Sequence, residues 1–418
     1  MSDRGAGTRG TSLDVLVLDA EQRQSLVCVR SLGAAGMSVG AFASDRAPAF
    51  SSRWCKVAGL VPDVAVASDA FVDSVVEHAI RHGAALAICT HDGSLEALRR
   101  RRSEFEEHVA LALADERALA VAVSKERTLA LADELGLSTP RGAAVDDVSD
   151  VAAVAEELGF PLVVKPSTSW AESTGARLVG ALALDLEEAR LRVDEMTRAG
   201  TTALLQEWLT GSREAVSLFR ADGEIKARFA QVAHRMYPPL GGSSVARESI
   251  PLPADVGRAA EELVDAIDLD GYCEVEFRRD ASGEAKLMEI NPRLSASVEI
   301  AVRAGVDFPL LLARWAAGDE VARVATYRTG VRMRWLGGDL RLLRHALGHG
   351  DRPESANRWP ALGTFVADFF RQAHYDYLAR DDYRPAVAAT ADWLGGRTHL
   401  RKRDRAKLVH AHLDQEAR

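Results

Sequence analysis

Cys273-Glu274-Val275-Glu276-Phe277, followed by Leu287-Met288-Glu289-Ile290-Asn291-Pro292-Arg293, is the stretch on which the reading of this chain turns. Successive side chains on a strand point to opposite faces, so Glu274 and Glu276 share one face while Val275 and Phe277 take the other. Glu289 and Asn291 likewise share a face across Ile290. A hairpin joining the two strands brings Glu276 beside Glu289 and Asn291. Two carboxylates and an amide oxygen are hard ligands suited to magnesium, with phosphate oxygens and water completing an octahedron. Arg293, two residues on, is aimed at the same place, and its planar fork suits a phosphoryl or carboxylate group. The bland alternative is an exposed hairpin with ordinary alternation, which a charged run flanked by Met288 and Pro292 fits poorly.

Outward from this hairpin, residues 215–220, 224–234, 273–278 and 285–290 read as strands of an antiparallel sheet. Before them lies a small α/β unit, with helices over 148–158 and 186–199 and strands over 162–165, 176–183 and 203–207. Ser124 is a plausible N-cap for a helix ending at Gly136. The first third alternates strands (13–18, 37–43, 86–89) with helices (24–36, 71–82), a rhythm that indicates a parallel, right-handed α/β layer. No G-x-G-x-x-G follows the first strand, so a dinucleotide site is not supported. The last hundred residues look helical, carry Trp335, Trp359 and Trp393, and end in a charged tail over 401–418.

Composition bounds the rest. At 418 residues the chain is long enough for two or three domains. Lys plus Arg number 52 against 61 Asp plus Glu, a formal charge of -9, which argues against nucleic acid as the main partner. Only seven of those cations are lysines, so the placement of each lysine carries information. The polar opening over 1–12 has no apolar signal core, and no apolar run approaches a bilayer span, so a cytoplasmic, membrane-free protein is expected. Cys28, Cys55, Cys89 and Cys273 are scattered without metal or disulfide spacing and read as small buried hydrophobes in a reducing compartment.

The hairpin residues resemble the ATP-grasp superfamily, in the branch that contains biotin carboxylase and the carbamoyl phosphate synthetase large subunit. The run from Glu289 to Ser297 looks most like the carbamoyl phosphate synthetase version, and the match spans roughly residues 13 to 318 with its pieces in the family's order. The resemblance implies an α/β and α+β chain. It has an N-terminal parallel α/β domain (1–118), an ATP-grasp domain (119–318, lid about 139–205) and a mostly helical C-terminal extension (319–418). It implies Glu276, Glu289 and Asn291 as ligands of Mg2+, with Mn2+ as a possible substitute, and Arg293 as the group that stabilises the transferred phosphoryl. Lys125 and Lys165 sit where the family places phosphate-contacting lysines. Gln206-Glu207-Trp208-Leu209 resembles the hinge strand whose backbone pairs with adenine. Glu214 resembles the carboxylate that binds ribose hydroxyls, or else it belongs to an ion pair. The loop Ser167–Gly175 has one glycine where the family's phosphate loop often has several, so it is expected to shape the acceptor pocket instead.

Between the nucleotide half and the hairpin, the segment His234–Glu248 is broken by Pro238-Pro239 and Gly241-Gly242 into a shaped loop. Arg235 and Arg247 are expected to hold a substrate carboxylate beside Gly241 and Gly242, with Ser295 and Ser297 lining the far side. The alternative is a structural turn with solvated arginines. His234 reads as a packed or exposed histidine rather than a base. No biotin-carrier sequence and no amidotransferase region is present. The resemblance therefore implies a carboxylate–amine ligase forming an amide through an acyl phosphate, with a free amino acid or small amino-acid-like acid as one substrate. Dipeptide or specialised-metabolite synthesis is the setting that analogy suggests. A kinase-like or carboxyphosphate-forming subunit and a nucleotide-binding regulatory protein are the alternatives. The C-terminal hundred residues are expected to close the pocket or to make a homodimer contact.

Overall fold

The computed structural model describes residues 11–240, 242–348, 353 and 358–395. The N-terminal polar opening up to residue 10, the tail over 401–418 and Gly241 lie outside the described residues.

Residues 13–111 build the parallel layer. Its five strands run in the order Cys55–Leu60, Val39–Ala43, Val15–Val17, Leu86–Ile88 and Ala110–Leu111, every neighbouring pair parallel. The central three strands are wholly buried, which is why they read as short continuous apolar runs. The edge strand Cys55–Leu60 had no counterpart in the sequence reading. Its alternate residues are exposed, and Gly59 interrupts the apolar pattern because a Cβ there would strike the Phe42 ring.

The lid is a four-stranded sheet, Ala181–Ala183, Leu162–Pro166, Ala203–Glu207 and Gly142–Val145, backed by helices Val151–Leu158 and Leu186–Arg198. Val151, Val164, Val193 and Leu205 anchor its separate core. The single strand expected over 176–183 is interrupted: Ala176–Arg177 pairs with Trp170–Ala171, and only Ala181–Ala183 joins the lid sheet.

The body is a seven-stranded sheet ordered Ala285–Asn291, Gly271–Arg279, Arg213–Ala221, Glu224–Tyr237, Ser243–Ser249, Arg332–Arg334 and His374–Tyr375. All its pairs are antiparallel except the last. Two readings need correction here. The segment expected as a loop over 234–248 is strand up to Tyr237, turns at residues 238–240 and returns as the strand Ser243–Ser249. Beyond residue 318 the described residues hold helices Leu336–Gly348, Arg358–Ala367 and Arg384–Leu394, and also two short strands that extend the body's own sheet. Strands of two or three residues are too short to show a period. The parallel layer and the body share their apolar cores: Leu16 and Leu98 pack in one cluster with Val216 and Val275. Among the described residues no helix is long and apolar enough to cross a membrane.

Candidate active site

The register of the body sheet assembles the site. Gln231 pairs with Ala215, Ala215 with Glu276, and Glu276 with Glu289, so these four side chains form a row across four strands on one face. Ala215 is the small member, and its lack of bulk leaves room above the sheet. In the next row Ser217 pairs with Glu274 and Glu274 with Asn291. The alternation read from the sequence therefore places Glu274 with Glu276, and Glu289 with Asn291, on one face. Asn291 donates from Nδ2 to Glu276 Oε1 and to Glu289 Oε1, each at 3.3 Å.

Three cations converge on these carboxylates. Lys125 Nζ lies 3.1 Å from Glu289 Oε2 and donates to Ser169 Oγ at 2.8 Å. It occupies the first turn of helix Lys125–Glu134, capped by Ser124, whose Oγ accepts from the Arg127 N–H at 3.3 Å. Lys165 Nζ donates to the Met288 carbonyl at 3.5 Å. Arg213, which the sequence reading passed over in favour of its neighbour Glu214, is ion-paired with Glu276 and donates to the Gly242 carbonyl at 2.9 Å. A Cβ on Gly242 would collide with the Tyr237–Pro238 backbone at 2.2–2.3 Å, so this close approach requires glycine.

The electrostatics follow from burial among like and unlike charges. Burial works to raise the Glu289 carboxyl, but Lys125, Lys165 and Arg213 outweigh it and hold it down to about 2. Burial pushes the Glu276 carboxyl up, with Glu289 and Glu274 adding to the push against the pull of Arg213. Burial, with Lys125 as a like-charged neighbour, brings the Lys165 ammonium down to about 8. Arg293 is ion-paired with Asp92, and Arg177 Nε lies 3.4 Å from the other oxygen of Asp92. Although burial opposes it, this pair keeps Arg293 charged and holds Asp92 well below the usual carboxylate range.

Whether the set suits a metal is a matter of donor chemistry. Among the described residues no group of three or more His, Cys, Asp or Glu side chains could hold an ion. Two carboxylates and an amide can supply half of an octahedron of oxygens, and a nucleotide's phosphates supply more, which fits a magnesium–nucleotide complex rather than a free-standing metal site.

A cavity of about 1880 Å3 opens above this corner, lined by Glu274, Glu276, Glu289, Asn291, Arg293, Ser295 and Ser297. Its other walls come from every part of the chain: Asp19 and His91, the lid's Trp170 and Arg177, and Trp335, Tyr377 and Trp393. Trp170 folds onto the parallel layer, edge-on to the His91 ring, and fills the space a Gly93 side chain would need. The loop thus lines the cavity.

The nucleotide-side residues, Lys125, Lys165, Gln206, Glu207, Leu209 and Glu214, stand outside this lining. Gln206 and Leu209 are buried. The Glu207 carboxylate accepts from Arg141 N and Nε at 2.9 and 3.1 Å. Glu214 is held bidentately by Arg279, both bonds 2.7 Å, the ion-pair alternative for that residue. The two arginines expected to bind a substrate carboxylate are already engaged. Arg235 binds both oxygens of Asp339 at 2.9 and 2.7 Å, and Arg247, fully buried, grips Asp376 at 2.6 and 3.2 Å. His234 is half-exposed and meets Glu248 at 3.1 Å.

Residues 201–338 match the family described as ATP-grasp in the biosynthetic pathway with Ter operon. A D-alanine–D-alanine ligase of Ectopseudomonas mendocina (strain ymp) is 29% identical over 221 residues, covering 49% of this chain and 68% of that ligase. Among solved structures, the biotin carboxylase domain of Hydrogenobacter thermophilus 2-oxoglutarate carboxylase superposes with a TM-score of 0.62 at 15% identity. It covers 77% of this chain and 74% of that one. An L-amino acid ligase from Bacillus licheniformis gives 0.55 at 15% identity, covering 74% and 75%. At such identities these two likenesses speak for the fold.

Proposed function

We propose that the chain is an ATP-grasp, ADP-forming carbon–nitrogen ligase that joins an amino acid or small amino-acid-like carboxylate to an amine. The observation that carries this reading is the placement of the Glu276–Glu289–Asn291 corner and Arg293 at the edge of so large a cavity. A pocket for one small ligand is on the order of 300–1,000 Å3, so there is room for two substrates side by side.

A carboxylate oxygen of the acid attacks the γ-phosphorus of ATP, and the bond from that phosphorus to the bridging oxygen breaks, leaving ADP and an acyl phosphate. The amine nitrogen then attacks the acyl carbon, phosphate departs with the electron pair of the carbon–oxygen bond, and the nitrogen loses a proton. Magnesium, held by Glu276, Glu289 and Asn291, would supply neutralisation of the phosphate charge. Lys125 and Lys165 are the point charges that fix the polyphosphate, and Arg293, kept charged by Asp92, faces the transferred group. Such transfer depends on positioning and charge rather than on a nucleophilic side chain. Names of similar proteins, a D-alanine–D-alanine ligase and an L-amino acid ligase, support this substrate class.

Incubation with ATP, magnesium and pooled amino acids tests the reading by mass spectrometry. ADP together with a new amide, dependent on both substrates, is expected. ADP without amide would convert the reading to a kinase-like one, and no ADP under any pool would remove it.

A further inference from the structure

Beside the metal corner the same sheet face carries a second polar group. Glu274, nine-tenths buried, accepts through one oxygen, Oε2, from Gln231 Nε2 at 2.9 Å, Ser295 Oγ at 2.9 Å, Ser297 Oγ at 3.2 Å and Ser217 Oγ at 3.4 Å. All four donors are neutral. Arg213 and Arg293, whose charges reach Glu274, are bound to Glu276 and Asp92 instead. Among the described residues Glu274 Oε1 has no hydrogen-bond partner. Gln231 spends both Nε2 protons on Glu274 and Ser297, and its buried Oε1 has no partner either. Glu274, Gln231, Ser295 and Ser297 all line the cavity. A buried carboxylate satisfied only by neutral donors, next to an orphaned amide oxygen, lacks a cation.

Resting on the ligase reading above, we propose that Glu274 and Gln231 Oε1 form the subsite for the α-ammonium of an amino acid whose own carboxylate is the one activated. Asn291 is the cross-strand partner of Glu274, and Glu276 and Arg293 line the same cavity, so an ammonium held by Glu274 leaves the carboxylate two bonds away beside the Glu276–Glu289–Asn291 corner.

The test compares an equimolar pool of the proteinogenic L-α-amino acids with a pool of the matching α-hydroxy acids, with hydroxylamine as nucleophile, reading ADP and hydroxamate. The wild-type chain should prefer the amino acids. Glu274→Gln, which preserves shape and removes charge, should raise the amino-acid KM about 10- to 150-fold and erase the preference, the range expected for hydrogen bonds to a charged group. Glu274→Asp should retain the preference, and KM for magnesium should not move in either variant. Equal turnover of both pools by the wild type, an unchanged preference in Glu274→Gln, or a shifted magnesium KM would overturn the subsite while leaving the ligase intact. If hydroxamate persists in Glu274→Gln and only coupling to amines is lost, the ammonium belongs to the nucleophile and the proposal fails. No ADP from either pool removes the ligase reading and the subsite together.

Discussion

At the Glu289 end of the site two lysines, Lys125 and Lys165, stand with Arg213 around the carboxylates; along the C-terminal side the cations are the buried Arg23 and Arg247 and the part-buried Arg235, each bound to an aspartate. In a chain with 52 basic residues of which seven are lysines, this division is a choice of chemistry. An ammonium is a compact charge that burial can bring within reach of neutrality, while a guanidinium stays charged and forks onto a carboxylate. Under the proposed function, the lysine end yields its partner to an incoming polyphosphate. At the arginine end, Asp376 joins Arg23 of the first helix to Arg247 of the body sheet, and Arg23 stacks 4.0 Å from the Trp335 ring. One end is built to exchange partners and the other to keep them.

The comparison can be broken in a graded series. Glu289→Gln should have the largest effect: loss of a metal ligand costs several kcal/mol at the transition state, on the order of 10^3-fold in kcat, with an unchanged melting temperature. ADP release in a coupled assay measures it, and normal turnover would refute the metal assignment. At the arginine end the effect moves to stability. Arg247→Leu leaves Asp376 buried without its closest cation and should cost about 3 kcal/mol, read from denaturant unfolding. Next comes the acid–base contrast. With Lys165 at about 8, its ammonium is present below that pH and lost above it, so ATP affinity should weaken about tenfold from pH 7 to pH 9. Lys165→Arg should flatten that profile. Smallest is Arg141→Ala: its pair with Glu207 is largely solvent-exposed, and its loss should change stability by less than about 1 kcal/mol.

The contrast also explains what the sequence disclosed. Glu276, Glu289 and Asn291 were legible because strand alternation and one hairpin fix their faces, a local rule that needs no tertiary information. Lys125 stood out by rarity and by its place behind an N-cap. Arg213 was missed although it shares a face with Ala215 and Ser217; the signal was the same alternation, carried one strand further. Arg235 and Arg247 could not be judged, because the aspartates that occupy them lie 104 and 129 residues downstream. Glu274 was placed on the right face, but its neutral surroundings depend on Gln231 from another strand meeting Ser295 and Ser297 from the turn after the hairpin. The edge strand at 55–60 escaped because Lys56 and Gly59 break its apolar pattern, and the two short C-terminal strands because too few residues carry their period.

The Arg23–Asp376 pair has a consequence for synthesis as well as for the finished molecule. Its members are 353 positions apart, so at roughly 5–20 residues per second a nascent chain waits roughly 20–70 s between making the cation and making its anion. During that interval Arg23 is without Asp376, and the first helix can pack on strands 15–17, 39–43 and 55–60 but not yet on Phe308–Ala316. The parallel layer therefore completes its packing only when the C-terminal residues arrive.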